Sequence, residues 1–150
     1  KDSIDVDISK NILFKNTNII GSGNDGIDFM ESTANLDQMV LISNGDKGIS
    51  VGENSMISVS NSKFKNNKYG VVSKDSSKAI IEDSLFEDNM IQLSAYQKNW
   101  RYGDSGNINI RNSKFLALEN KIISDKKGKI KIFDSNIIGK INKTENVQIN

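Results

Sequence analysis

One segment of this chain recurs along its length. Ile57-Ser-Val59-Ser-Asn61-Ser-Lys-Phe64 can be laid over Ile12-Leu-Phe14-Lys-Asn16-Thr-Asn-Ile19 and over Ala79-Ile-Ile81-Glu-Asp83-Ser-Leu-Phe86. Ile108-Asn-Ile110-Arg-Asn112-Ser-Lys-Phe115 and Ile130-Lys-Ile132-Phe-Asp134-Ser-Asn-Ile137 complete the set. Gly26-Ile27, Gly48-Ile49 and Gly70-Val71 follow one another at intervals of 22 residues, and Ile91 and Ile122 extend that column with small changes of length. A fixed period of this size means stacked units, each too small to bury an apolar face alone.

Every position of the template has a physical reading. Apolar residues alternate (Ile57, Val59, then Phe64, then Val71), as in a strand with one face turned to a core. Asn16, Asn61, Asp83, Asn112 and Asp134 stand between two short strands, where the chain must turn. Asn tolerates the left-handed conformation, and its amide can bond the same residue one coil above. These five are expected to form a partly buried ladder, and Gly26, Gly48 and Gly70 to supply a positive φ at a second turn.

Connections this short cannot hold a crossover helix, which takes about a dozen residues or more. A coil closing on itself remains, right-handed because strands twist that way. The expected fold is all-β, a right-handed single-stranded parallel β-helix of about six coils on a roughly 22-residue repeat, about 30 Å long at ~4.8 Å per coil. Val147-Gln-Ile149-Asn150 opens another copy of the template, and neither end offers an amphipathic helix to cover a terminal coil. Residues 1–150 are therefore expected to be one domain, a segment of a longer solenoid, with strand edges able to pair with another chain.

Composition narrows the chemistry. Lys plus Arg is 20 and Asp plus Glu is 19, a balance without the basic stripe of a nucleic-acid surface. No apolar run approaches the ~18 residues of a membrane span. With no Cys and no His, disulfides, thiolate metal sites, cysteine nucleophiles and the commonest neutral-pH base are all excluded. Catalysis would have to run on Asp, Glu, Lys, Arg, Tyr or Ser. The absence of Pro suits a chain made mostly of hydrogen-bonded strand and tight turn.

The template resembles the Asn-rich parallel β-helix repeat of the pectate-lyase-like superfamily over nearly the whole chain. That superfamily includes polysaccharide lyases, glycoside hydrolases, uronate epimerases, phage tailspikes and structural surface modules. Gly23-Asn-Asp-Gly-Ile-Asp28, Asp46-Lys-Gly-Ile-Ser-Val-Gly-Glu53, Lys74-Asp-Ser-Ser77 and Tyr96-Gln-Lys98 are more narrowly similar to β-helix modules of bacterial surface proteins. The resemblance implies an extracellular or cell-surface location. It also implies, for an enzyme, Lys or Arg as base beside Ca²⁺ held by carboxylates.

Two places could carry function. In the 22-residue register, Glu31, Glu53 and Asp75 share one column, with Cα atoms about 4.8 Å apart. Nothing in the core pattern asks for three adjacent acids there. Either a cation, Ca²⁺ being the external candidate, or nearby lysines neutralise them, or the side chains splay apart as an ordinary charged face. The same register sets Tyr96 above Ser32, Asn54 and Ser76, sets Lys98 above Lys78, and puts Ser50 and further on Gln92 above Asp28. Lys74 precedes Asp75, so acids and a lysine would line a shallow groove.

The second place is an insertion of about nine residues between Tyr96 and Asn107, holding the only Trp, Trp100, with Arg101 and Tyr102. Flat aromatics beside a cation are what a sugar ring stacks on, unless Trp100 folds back onto the coil. Weaker candidates are the Asp25/Asp28 pair, with Asp25 better read as a turn cap, and Gly21-Ser-Gly23-Asn-Asp-Gly26, a turn lacking the Lys-Ser/Thr of a phosphate loop. Lys126-Lys-Gly-Lys129 reads as a solvated turn or an anion contact.

Two expectations follow. The first is a non-catalytic surface or secreted module that binds carbohydrate (Asp28, Glu53, Asp75, Trp100, Arg101, Tyr102) or acts as a spacer, its partner a polysaccharide or cell-envelope glycan. The alternative is a uronate lyase or epimerase with Lys74 or Lys98 as base and Tyr96 as acid, and with Ca²⁺ on Glu31, Glu53 and Asp75.

Overall fold

The structure, a computed structural model, describes all 150 residues, Lys1–Asn150. Each coil contributes three short strands. Coil one holds β1 (Ile4–Asp7), β2 (Ile12–Lys15) and β3 (Asn18–Ile20); coil two holds β4 (Ile27–Met30), β5 (Thr33–Asp37) and β6 (Val40–Ile42). Coil three follows with β7 (Lys47–Gly52), β8 (Met56–Ser60) and β9 (Lys63–Lys65), and coil four with β10 (Tyr69–Lys74), β11 (Lys78–Glu82) and β12 (Leu85–Glu87). Coil five has β13 (Ile91–Tyr96) and β14 (Asn107–Arg111), and its third strand runs straight into the sixth coil as β15 (Lys114–Ser124). β16 (Lys129–Phe133), β17 (Asn136–Lys143) and β18 (Val147–Ile149) finish the chain.

All pairings are parallel and join one coil to the next. The second strands form a sheet of seven, β2-β5-β8-β11-β14-β16-β18. The first and third strands form a sheet of eleven because β15 pairs with both β13 and β12. The fold is thus an all-β parallel solenoid of about six turns spaced by ~22 residues, with almost no helix and none long and apolar enough to cross a membrane.

Alternation produces the core directly. Ile57, Ala79 and Ile108 are partners in successive coils, as are Phe64, Phe86 and Phe115, and all six are fully buried. The phenyl rings stack with centroids 4.7 and 5.0 Å apart. Each such side chain contributes on the order of 2 kcal/mol by leaving water.

The turns obey the expected backbone rule but not the expected burial. Asn16, Asn61, Asp83, Asn112 and Asp134 are left-handed (φ +51, +49, +49, +49 and +47°), yet all five are exposed. At Asn61, Asp83 and Asn112 the left-handed residue turns its side chain outward and the serine that follows points in. Ser62, Ser84 and Ser113 are therefore the buried ladder. The Ser84 hydroxyl accepts the N–H of Ser62 (3.2 Å), and Ser113 Oγ accepts that of Ser84 (3.1 Å).

The amide ladder lies at the other turn, in Asn44, Asn67 and Asn89. Asn67 Oδ1 accepts both N–H and Nδ2 of Asn44 (2.9 and 3.0 Å), and Asn89 Oδ1 does the same for Asn67 (3.0 and 2.9 Å). Gly26, Gly48 and Gly70 do not take the positive φ expected of them. They are needed because a Cβ at each would stand 2.6 Å from a carbonyl oxygen of the next coil.

Candidate functional site

The acidic column exists, and the fold resolves its repulsion by giving each carboxyl a different task. Glu31, Glu53 and Asp75 each occupy a left-handed turn position (φ +48, +51 and +55°) in successive coils, with Glu31 N–H donating to the Glu53 carbonyl at 2.8 Å. Asp75 is fully buried; its Oδ1 accepts the backbone N–H of Lys98 and of Asn99, each at 2.7 Å. Glu31 Oε1 accepts the Tyr102 hydroxyl at 3.4 Å. Between them, burial pushes the Glu53 carboxyl up; Lys74 opposes this, while Asp75 and Asp28 add to it.

Lys74 is only 4% exposed, although it lies on the outward side of its strand. Its stem crosses Gly52, where a Cβ would stand 2.4 Å from Cε, and its ammonium comes within 3.8 Å of Asp28 Oδ1. The chain needs glycine at 52 to let the lysine lie flat. Tyr96 is the partner of Lys74 in the next coil, not of Ser76, because β13 keeps the 22-residue offset from β10. Burial raises its phenol; Lys47 opposes this, while Tyr69, Asp46 and Asp25 add to it, so its hydroxyl belongs to a neighbouring cluster. The Asp25 side chain, expected to cap its own turn, instead bonds to the next coil, accepting Lys47 N–H at 3.1 Å and Lys47 Nζ at 3.3 Å.

Other register expectations shift as well. Lys78 pairs with Asn107 rather than lying under Lys98, and the column above Asp28 runs through Ser50, Val72 and Ser94 instead of Gln92. Met56 pairs with Lys78, 22 residues on, whereas Lys78 pairs with Asn107, 29 on, so the insertion is seven residues. Lys98 is exposed and meets Asp75 through its backbone alone among its hydrogen bonds. Lys74 and Lys98 both act on the Glu53 carboxyl, whereas the Tyr96 phenol sits among Lys47, Tyr69, Asp46 and Asp25.

The insertion is a built platform. Trp100–Tyr102 form one 3₁₀ turn, capped by Asn99, whose side chain accepts Arg101 N–H at 3.1 Å. Asp75 holds its entry. The Ser76 hydroxyl donates to the Tyr102 carbonyl, and Ser76 N–H donates to the Asp104 carbonyl at 2.8 Å. Gly106 brings the chain back so closely that a Cβ there would meet the Ser73 carbonyl at 2.0 Å. Trp100 does not fold back: it is 78% exposed, with the Arg101 guanidinium 5.9 Å from its ring centre.

Asp125, which the sequence reading passed over, clamps this platform to the following coil. Its Oδ2 accepts Gln97 N–H and Ser105 Oγ–H, both at 2.8 Å, and its Oδ1 accepts Lys127 N–H (3.0 Å) and Gly128 N–H (2.6 Å). Burial works against the charge, but these donors hold the carboxyl below its ordinary value. The spacing Asp125-Lys-Lys-Gly128 is an Asx-turn signal that could have revealed half of this role.

Glu31, Glu53 and Asp75 do not converge on one point. The carboxylates that do are Asp2, Asp5 and Asp28, with oxygens within 4.8 Å of one another, a donor set of the hard-oxygen kind that suits a divalent cation.

The family described as a right handed beta helix region matches residues 1–115. The chain belongs to that family. No curated protein and no solved structure matches it. Within this right-handed β-helix the insertion loop falls between β13 and β14, at the corner where the two sheets meet. A loop there can project without interrupting either sheet of the β-helix.

Proposed function

We propose that this β-helix is a non-catalytic, glycan-binding module of a secreted or cell-surface bacterial protein. The observation that carries the reading is Trp100: an aromatic ring 78% exposed, on a loop pinned by Asp75, Ser76 and Asp125, with Arg101 beside it. An exposed indole is left in water at a cost unless a partner covers it. A rigid one binds with little loss of conformational freedom. Asp28, Glu53 and Tyr102 border the same side of the solenoid and offer hydroxyl and carboxylate partners to a sugar.

The lyase or epimerase alternative draws less support. Lys74 is buried against Asp28, and the Tyr96 phenol is held among Lys47, Asp46 and Asp25. A general base must reach the proton that it removes.

The test is a glycan array probed with the chain and with Trp100→Ala. The expected result is binding to a defined subset of glycans, weakened more than tenfold by the substitution. Binding to none, or equal binding by Trp100→Ala, overturns the reading.

A further inference from the structure

The coil that follows the loop carries an unusual run of unpaired positive charge. Lys126, Lys127, Lys129 and Lys131 are all exposed and close together in sequence, and none lies in an ion pair. The acid in that turn, Asp125, is fully occupied by its four donors. Gly128 is pressed against β13, where a Cβ would stand 2.5 Å from the Ala95 carbonyl. The lysines therefore radiate from a fixed turn.

Two depressions show where they point. One, of ≈ 330 Å³, is lined by the four lysines with Asn146 and Gln148, and has neither an acidic nor an apolar side chain. The other, ≈ 660 Å³, shares Lys126, Lys127 and Lys129 and reaches Ser76, Gly103 and Asp104 at the foot of the Trp100 loop. Three shared lysines make them one trough, running from the loop to the C-terminal coil. Asp125 bonds both the loop and the lysine turn, so trough and platform move as one body.

We propose that this trough binds a glycan bearing phosphate or sulfate groups, its charges on Lys126, Lys127, Lys129 and Lys131 while a ring meets Trp100. The inference rests on the glycan-binding reading and names the ligand's charge. Carboxylates are best met by the planar fork of Arg, and the nearby Arg101 lies over Trp100 instead. Lysine ammonium groups, compact point charges with three rotatable donors on flexible stems, suit the diverging oxygens of a tetrahedral anion.

The test titrates the 150-residue chain with dextran sulfate, neutral dextran, orthophosphate and oligothymidylate. It compares wild type with Lys127→Gln/Lys129→Gln, Trp100→Ala and a control, Lys10→Gln/Lys15→Gln, in the first coil. Dextran sulfate should bind, at least tenfold more weakly to the Lys127/Lys129 variant at an unchanged melting temperature, and equally to the control. The log–log salt slope should fall by about 2 in that variant, as each lost contact releases one counterion fewer.

Equal binding by wild type and the Lys127/Lys129 variant overturns the proposal, as does failure of dextran sulfate to bind. So does oligothymidylate binding as tightly as dextran sulfate, or orthophosphate displacing the polymer at equal anion concentration, which would mean an isolated small-anion site. If Trp100→Ala abolishes array binding while the lysines prove irrelevant, the glycan reading stands and this inference falls. If the lysines matter and Trp100 does not, the anion trough is supported and the ring contact is overturned.

Discussion

The carboxylate of Asp75 meets the backbone N–H of Lys98 at 2.7 Å, with the next N–H, that of Asn99, at the same distance on the same oxygen. A residue expected to hold a metal or a sugar is instead the peg on which the insertion loop hangs. Asp75→Ala should remove two charge-assisted bonds and leave buried donors unmet, costing about 2–3 kcal/mol. Asp75→Asn retains an acceptor there and replaces Oδ2, which has no partner, so it should cost about 1 kcal/mol or less. Thermal unfolding of both variants checks the order; equal losses would contradict it.

Glu53 gives a pH signature. Its carboxyl is raised above the ordinary 4.5, first by burial, so the charged form is disfavoured in the folded state. Stability attached to Glu53 therefore increases as pH falls through the raised folded value, and no further change comes below the unfolded value. Glu53→Gln should raise the melting temperature at neutral pH by the equivalent of a few tenths of a kcal/mol, solvent having screened much of the effect. The two proteins should converge below pH 4.5, the ordinary value. A lower melting temperature for Glu53→Gln at pH 7 would mean that its charge is used.

Asp125 behaves in the opposite sense. Its folded value lies below the ordinary 3.8, so its contribution is complete above that value and is lost as pH falls through the folded one. Asp125→Ala should loosen the loop and the lysine turn together, seen as faster amide hydrogen exchange at Gln97 and Gly128. Loosening at only one of them would separate the two halves of the clamp.

The turn ladders separate two Asn positions that look alike in sequence. Asn67→Leu strands the Asn44 N–H and the Leu41 carbonyl, which Asn67 now satisfies, and should cost about 3 kcal/mol. Asn61→Leu loses only a left-handed preference and an exposed bond to Asp37, about 1 kcal/mol. Melting temperatures that rank Asn61→Leu as the more damaging would restore the ladder to the wrong turn.

Those two residues also show what was legible beforehand. A 22-residue period and strict alternation suffice to place Ile57 over Ala79 and Phe64 over Phe86, because side-chain direction along a strand follows parity alone. They also mark Asn61 as left-handed. Whether Asn61 or Ser62 then points inward depends on the rotation of the turn, which a one-residue shift reverses. The position of Lys98 is obscure for a related reason: the insertion follows β13, which keeps the 22-residue offset from β10, so the break in register falls after Tyr96. Asp125 reaches Gln97 across 28 residues, a contact that exists only once the coils have stacked.

Because Trp100 is the sole tryptophan, its fluorescence reports on the proposed platform without interference. A titration with a glycan bound on the array should shift and saturate the indole emission, with a midpoint equal to the dissociation constant from calorimetry. Emission unchanged through a calorimetrically saturated titration would place the glycan elsewhere and contradict the account.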